Sequence, residues 1–174
     1  VFGSQADYTR FLARNSTYHR LGRDIILARS FVLGWLVNNK AGEGPELIPL
    51  AERFFAGGAT THRGFPENQA GPRDLSTGFP LGGSALLVNK LELRVPVLGE
   101  RLGAVLFHDA GHVYRSVREI SFRFRQRDLQ DFDYMVHAVG FGLRYKTPVG
   151  PVRLDLAYAI NSPRFQYEPR QDLT

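Results

Sequence analysis

The chain has 174 residues, of which 43% are hydrophobic and 22% are charged, and it contains no cysteine. This composition allows one domain with a sizeable core, and it excludes a disordered chain, disulfide bonds and cysteine-ligated metal sites. The formal net charge is +5, but the 22 lysines and arginines are spread along the chain, so no nucleic-acid partner is expected. No apolar run reaches the roughly 18 to 20 residues that a transmembrane helix needs.

Six segments predict β-strands, and glycines and prolines separate them. The first segment is weak, and the second is apolar on both faces, which leaves its register open. The third places apolar side chains on one face and Lys90, Glu92 and Arg94 on the other. The last two segments alternate in the same way around a tight turn and predict an antiparallel hairpin. In chain order, the predicted strands span residues 6–15, 24–37, 84–95, 101–109, 134–146 and 151–160.

The lengths of the strands and of their connections favour a membrane barrel. Strands of soluble sheets usually have about five to six residues, whereas a tilted strand that crosses a bilayer needs roughly nine to eleven. Short connections near 19–23, 96–100 and 147–150 alternate with long loops at 38–83 and 110–133. Short periplasmic turns and long extracellular loops are typical of bacterial outer-membrane barrels. A soluble β-sandwich with one solvated face is the alternative, because its strands also alternate.

Charged side chains gather on the face opposite the apolar one, which is the reverse of a barrel in water. We therefore expect lipid on the apolar side. Barrels of this kind have at least about eight strands, and an open strand edge in lipid is costly. We expect the remaining strands to lie outside this chain, which starts in mid-pattern at Val1, and we expect the chain not to fold alone. The charged residues of the inward face are Lys90, Glu92, Arg94, Asp109, Arg144, Lys146, Arg153 and Asp155.

The loop 38–83 is longer than connections inside a domain usually are, and it is rich in apolar residues, so we expect it to pack inside a lumen. Its segment 53–65 contains Phe55, the pair Gly57 and Gly58, and the run Arg63-Gly64-Phe65. This segment closely resembles the loop motif of the BamA-type outer-membrane assembly factors, although the residue before the arginine is His62 where that family usually has valine. Further similar segments are 71–72, 81–83, 91–93, 107–111 and 148–155.

The resemblance implies an all-β fold, in which this chain is the C-terminal part, of about six antiparallel strands, of a sixteen-stranded transmembrane barrel. It implies that the extracellular loop folds back into the lumen, where the loop arginine pairs with an acidic residue on each of the next two strands. Matched to this sequence, those residues are Arg63, Glu92 and Asp109. We further expect Gly64 to permit a sharp backbone reversal and Phe65 to anchor the loop tip by apolar burial.

Other chemistry-bearing residues predict no active site. His108 and His112 have the spacing of a helical metal motif, but on an extended strand they would lie roughly 13 Å apart, at about 3.3 Å per residue, which is too far to share an ion. No catalytic motif is present, so we expect no catalytic residues, no metal, no cofactor and no enzyme activity. Three tyrosines are candidates for an interfacial aromatic girdle or for ordinary lipid-facing surface. They are Tyr134, Tyr145 and Tyr158.

The resemblance implies a bacterial outer-membrane insertase that assists the folding and insertion of other outer-membrane proteins. The implied partners are unfolded outer-membrane proteins, membrane lipid and lipopolysaccharide, periplasmic transport-associated domains of the same full-length chain, and accessory lipoproteins. A polypeptide-exporting relative, such as a two-partner secretion transporter or a TamA-like translocation factor, is the alternative. A passive porin is disfavoured by the plugging loop, and a barrel fused to a lipase-like domain would be revealed by the sequence upstream.

Overall fold

A computed structural model describes residues 7–22, 24–39, 48–99 and 101–164. Its six long strands form one antiparallel sheet in which each strand pairs with the next along the chain. Two short 3-10 helices lie in the loops, at Leu50–Glu52 and Val117–Glu119. No helical segment of the described ranges has the length and apolar character that spanning a membrane requires. The strands are β1 (Tyr8–Arg20), β2 (Ile26–Asn38), β3 (Ala85–Leu98), β4 (Leu102–Tyr114), β5 (Val136–Thr147) and β6 (Gly150–Ala159).

The outer face of the sheet is apolar and exposed. Leu106 of β4, Phe141 of β5 and Leu156 of β6 lie side by side in the register of the ladder. They are 59%, 52% and 54% exposed, respectively. Because side chains alternate along a strand, the opposite face carries the charged residues predicted to point inward. An exposed apolar belt of this kind is typical of the lipid-facing side of a transmembrane barrel.

The inner face of the sheet, which carries Glu92 and Asp109, is covered by the loop 48–84. The loop places Phe54, Phe65 and Ala70 in one buried cluster with strand residues that include Leu86, Val88, Val113 and Val136. Its backbone joins the end of β4, where the Val113 N–H donates to the Ala70 carbonyl at 3.1 Å. Removing these apolar side chains from water is the main physical reason why a loop of this length has a defined path.

The predicted ends of β1 and β4, at residues 15 and 109, each come five residues too early. β1 continues to Arg20 because it pairs residue by residue with β2, ending with Arg20 opposite Ile26. β4 continues to Tyr114, which pairs with Ala85, so the loop that follows spans 115–135 instead of 110–133. In both places, backbone pairing with a neighbouring strand extends an element whose own sequence alternates poorly. Ladder hydrogen bonds do not depend on side-chain type, so this continuation leaves little sequence signal.

Part of the outer face is not exposed, because the β4–β5 loop folds over it. Ile120 of that loop packs on a buried cluster that includes Leu87, Ala110 and Tyr114. The prediction of Tyr134 as a girdle or lipid-facing residue is wrong. Its side chain is 1% exposed and belongs to the cluster beneath the inner loop, since it lies just before β5 where both loops meet the sheet. The other two candidates, Tyr145 and Tyr158, lie on the outer face with exposures of 48% and 72%.

Candidate functional site

The tip of the inner loop is a compact turn built on two glycines. Gly57 and Gly58 have φ values of +125° and +80°, which L side chains rarely adopt. A Cβ at Gly57 would also collide with the Pro66 carbonyl oxygen. The Thr61 hydroxyl accepts from the Gly57 N–H at 2.7 Å and donates to the Gly57 carbonyl, and the Gly58 N–H donates to the Phe65 carbonyl at 2.9 Å. These bonds set the direction of the residues between them.

Arg63 extends from this tip into the inner face and is almost completely buried, with a side chain that is 2% exposed. Its Nε and Nη2 donate to the two carboxylate oxygens of Asp109 at 2.8 and 2.7 Å, and its backbone N–H donates to Asp109 at 3.0 Å. Its Nη1 donates to Glu92 Oε1 at 2.7 Å. The guanidinium carbon lies 3.5 Å from the centroid of the Phe107 ring. The structure therefore brings together the three residues that the resemblance implied.

Asp155 on β6 completes the ionic cluster, although its place in the sequence predicted only an inward charge. Its Oδ2 lies 3.9 Å from Arg63 Nη1, and Arg144 and Arg153 both pair with it. The sequence signal was the alternation of β6, which puts Asp155 on the same face as Glu92. A buried guanidinium costs several kcal/mol unless it is paired, and Arg63 meets that requirement with carboxylates from three strands.

Two strand cations, one of which also pairs with Asp155, hold the backbone of the tip. Lys90 Nζ on β3 donates to the Thr60 carbonyl at 2.7 Å. Arg153 Nη2 on β6 donates to the Ala59 carbonyl at 2.9 Å. The sheet, which forms the wall of the barrel, thus binds the tip in two ways. Cations of the sheet bind the backbone of the tip, and acids of the sheet bind the guanidinium of Arg63. This reciprocal arrangement fixes both the position and the orientation of the turn.

His62 and Phe65 anchor the tip beside Arg63. His62 is fully buried, its Nε2 lies 3.1 Å from the Val136 carbonyl, and its Nδ1 accepts from the Gly64 N–H at 3.3 Å. These partners require the neutral ring with the proton on Nε2. Burial lowers the pKa of His62 and outweighs the attraction of Asp109 for a proton on the ring. The Phe65 ring, 8% exposed, meets the His62 ring edge-on at 5.0 Å.

One predicted motif residue, Gly64, has a role different from the one expected. Gly64 does not have a positive φ, so the expected sharp reversal lies at Gly57 and Gly58 instead. What Gly64 provides is space, because a Cβ there would lie 2.6 Å from the Ala138 Cβ. Phe55, a motif residue for which no role was predicted, is half-buried and lies against Gly82 near the end of the loop.

Comparison with known proteins places this arrangement in a family. The family model for the Omp85 superfamily domain matches residues 1–171. The chain belongs to the Omp85 superfamily. The predicted resemblance and the predicted location in the bacterial outer membrane are thereby confirmed.

Relatives of this Omp85 domain include outer membrane protein assembly factors named BamA. The chain is 27% identical over 165 residues to that of Nitratidesulfovibrio vulgaris, covering 93% of this chain and 19% of the relative. It is 29% identical over 137 residues to that of Neorickettsia risticii, covering 78% and 18%. The chain thus spans about a fifth of the length of the curated relatives it matches.

The fold of the Omp85 domain is shared with a solved barrel. The crystal structure of BamA from Haemophilus ducreyi lacking POTRA domains 1–3 matches with a TM-score of 0.73 at 22% identity. The match covers 93% of this chain and 33% of that chain. The predicted fold class, a set of antiparallel strands from a larger outer-membrane barrel, is confirmed.

His108 and His112, whose spacing is that of a helical metal motif, contact different residues in the Omp85 domain. His108 Nε2 lies 3.1 Å from His137 Nδ1. His112 is buried among aromatic rings, 6.2 Å from Phe65 and 6.1 Å from Tyr134 between centroids. Within the described ranges, no group of three or more histidine, aspartate or glutamate side chains has the geometry to hold a metal ion.

Proposed function

We propose that this Omp85 domain is part of an outer-membrane insertase, a non-enzymatic protein that assists the folding and insertion of other outer-membrane proteins. The observation that carries the proposal is the inner loop, whose Arg63 is bound by acids on three strands and whose apolar side chains pack on the wall. Such a plug argues against a passive porin, whose interior is a water-filled channel. The names of the two assembly-factor relatives support the same function.

In this proposal the loop acts as an internal brace. An insertase of this kind presents a strand edge whose free backbone groups pair with an incoming strand. The wall next to such an edge must keep its register while the edge opens. Arg63 joins the loop to β3 and β4 and approaches β6, so the cluster resists separation of those strands. The role of the cluster is mechanical, and none of its residues performs a chemical step.

The proposed partners follow from the surfaces of the domain and from its relatives. Unfolded outer-membrane proteins are the substrates. Membrane lipid and lipopolysaccharide contact the exposed apolar face of β4, β5 and β6. Periplasmic transport-associated domains of the same full-length chain, and accessory lipoproteins, are the proposed periplasmic partners. The Haemophilus ducreyi protein has such POTRA domains, which supports the first of these two.

Depletion of the full-length protein in its host tests the proposal. We expect several unrelated outer-membrane barrel proteins to decrease together, measured by quantitative mass spectrometry of outer membranes. Expression of the wild-type gene should restore all of them. Loss of one secreted protein with normal levels of the barrel proteins would instead identify a polypeptide exporter. No change in either class would refute the insertase.

A further inference from the structure

The β4–β5 loop forms a second ordered surface, on the opposite face of the sheet from the Arg63 cluster. Ile120 packs on the outer-face cluster, and the Tyr114 hydroxyl donates to the Ser121 carbonyl at 3.1 Å. The Met135 N–H donates to the Arg123 carbonyl at 2.8 Å, which holds the loop beside the start of β5. The loop therefore lies at the border between the apolar belt and the end of the barrel that carries long connections.

Two aromatic rings project from this loop beside the apolar belt. Phe122 is 76% exposed and Phe124 is 47% exposed. The Phe124 ring packs on His137 with a centroid distance of 5.3 Å, and Asn161 Nδ2 donates to the Phe124 carbonyl at 2.6 Å. Aromatic side chains at such a border are favourable where acyl chains meet headgroups. The two rings are thus placed where the surface of a membrane around such a barrel would lie.

The arginines that follow are exposed and free to bind an anion. Arg123 is already bound by Asp131 through two hydrogen bonds of 2.8 and 3.0 Å. Arg125 and Arg127, in contrast, are exposed and form no ion pair with any residue in the described part of the chain. The nearest acid in sequence, Asp128, accepts from the Gln130 N–H at 2.9 Å.

The segment that carries these two arginines is held in place. Gln126, between them, makes two hydrogen bonds of 2.8 Å with the backbone of Arg164 beyond β6. The Arg127 N–H donates to Asp131 at 2.8 Å, which links the segment to the internal Arg123 pair. The guanidinium groups are therefore presented from an ordered backbone, and binding an anion requires little further ordering of the loop.

We propose that this surface binds the phosphate groups of a phosphorylated glycolipid in the outer leaflet. Phe122 and Phe124 would contact its acyl chains, and Arg125 and Arg127 would bind its phosphates. Arginine matches phosphate with paired N–H donors, and the long connections of such barrels lie on the extracellular side. The inference rests on the proposed orientation of the barrel, but it does not depend on whether the protein inserts or exports its clients.

The test compares bis-phosphorylated lipid A with enzymatically dephosphorylated lipid A, bound to the purified full-length protein and quantified by native mass spectrometry. Each basic side chain at an anionic lipid surface strengthens binding roughly fivefold. We expect the double variant Arg125→Gln/Arg127→Gln to bind the phosphorylated lipid on the order of twenty-fold less, while binding of the dephosphorylated lipid is unchanged. The matched control is Arg20→Gln/Arg101→Gln, which removes two exposed cations at the short-turn end and should bind like the wild type.

Three outcomes would overturn the inference. They are equal binding by the double variant and the wild type, equal loss in the control, and no dependence on the phosphates of the lipid. Phosphatidylglycerol vesicles test for a general attraction of anionic lipid. If that attraction alone were at work, the double variant would lose binding to phosphatidylglycerol and to phosphorylated lipid A equally, whereas a specific glycolipid site predicts a loss for lipid A only. The levels of barrel proteins in a host that carries the double variant are measured in parallel, so that the site and the insertase are tested separately. If the variant loses lipid binding while these levels stay normal, both the lipid site and the insertase stand. Lost barrel proteins after depletion, with unchanged lipid binding in the variant, refute this site alone.

Discussion

The two long loops of this Omp85 domain are ordered by different means. The inner loop 48–84 depends on the wall, because Arg63 is bound by Asp109 and Glu92 and its apolar residues share a cluster with the strands. The β4–β5 loop 115–135 also contacts the sheet, through Ile120 and Phe124, but its ion pair, Arg123–Asp131, lies within the loop itself. The difference indicates that loss of the Arg63 pairs would disturb the inner loop and the wall together, whereas loss of the Arg123–Asp131 pair would disturb mainly the outer loop.

The ion pairs of the two loops should contribute differently to the free energy of unfolding, because the pair of the inner loop is buried and that of the outer loop is partly exposed. Arg63 and Asp109 have side-chain exposures of 2% and 0%, whereas Arg123 is 28% exposed. Breaking one partner of a buried ion pair usually costs about 3–5 kcal/mol, because the other charge stays buried and unpaired. Ion pairs in contact with water contribute about 0–1 kcal/mol. Substitutions in the inner loop should therefore affect the whole barrel, and those in the outer loop should have local effects.

Arg63→Ala is expected to have the largest effect. It leaves the buried Asp109 carboxylate without its cation and Glu92 with Arg94 alone, so we expect the full-length protein to lose about 3–5 kcal/mol of unfolding free energy. The inner loop should become sensitive to protease, as measured by limited proteolysis in detergent. Arg94→Ala is the control, since Arg94 pairs with the same Glu92 but is 46% exposed, and it should cost less than about 1 kcal/mol. Unchanged protease sensitivity and folding in Arg63→Ala would refute the brace.

Gly57→Ala is expected to have the next largest effect, because it opposes the turn that aims Arg63. The positive φ of Gly57 and the collision of a Cβ with the Pro66 carbonyl together should cost about 3 kcal/mol. Gly78→Ala is a matched control, with φ of +72° but nothing within 4 Å of its Cβ, so it should cost about 1 kcal/mol. Denaturant unfolding of the full-length protein measures both. Equal effects would show that steric fit at the tip is unimportant.

The sequence predicted the parts of this architecture that depend on local patterns. Strict alternation predicted the β5–β6 hairpin and the inward position of Asp155. The pairing of Arg63 with Glu92 and Asp109 was implied by the family resemblance, since no local pattern joins residues so far apart along the chain. The contact of Phe107 with the guanidinium depends on the height at which the loop meets β4. That height is decided by packing of the whole loop, which residue spacing does not encode.

The errors have related causes. Tyr134 was expected on the outside because single aromatic residues near strand ends are typical of girdles, but two loops converge there and bury it. Gly64 was expected to reverse the backbone, although two glycines a turn earlier do so and Gly64 makes room for Ala138. In both cases the prediction used a general property of the residue type, the affinity of tyrosine for membrane surfaces and the backbone freedom of glycine. The role that the residue has in the structure is decided by the segments that pack against it.

Mild acid is expected to have a smaller effect, and to affect the inner loop before the outer one. Because burial lowers the pKa of His62, the folded loop resists a proton that the unfolded chain accepts near its ordinary pKa of about 6.5. The contribution of neutral His62 to stability is therefore complete above that pH and declines as the pH falls below it. Protonation would also remove the acceptor for the Gly64 N–H. We expect faster proteolysis of the inner loop at pH 5 than at pH 7, with an acid-tolerant protease.

His62→Val is the control that makes this last prediction specific, because valine cannot be protonated and is the residue expected at this position of the motif. The variant should show a smaller increase in loop cleavage between pH 7 and pH 5, whatever the other histidines contribute. The Arg123–Asp131 pair of the outer loop should stay intact over that range, because hydrogen bonds from Arg123 hold the pKa of Asp131 at about 2. The contribution of ionised Asp131 to stability is complete above about pH 3.9, the pKa of an aspartate in an unfolded chain. It is lost only as the pH falls toward 2. If both loops loosened together at pH 5, they would belong to one cooperative unit, and the distinction drawn between them would be wrong.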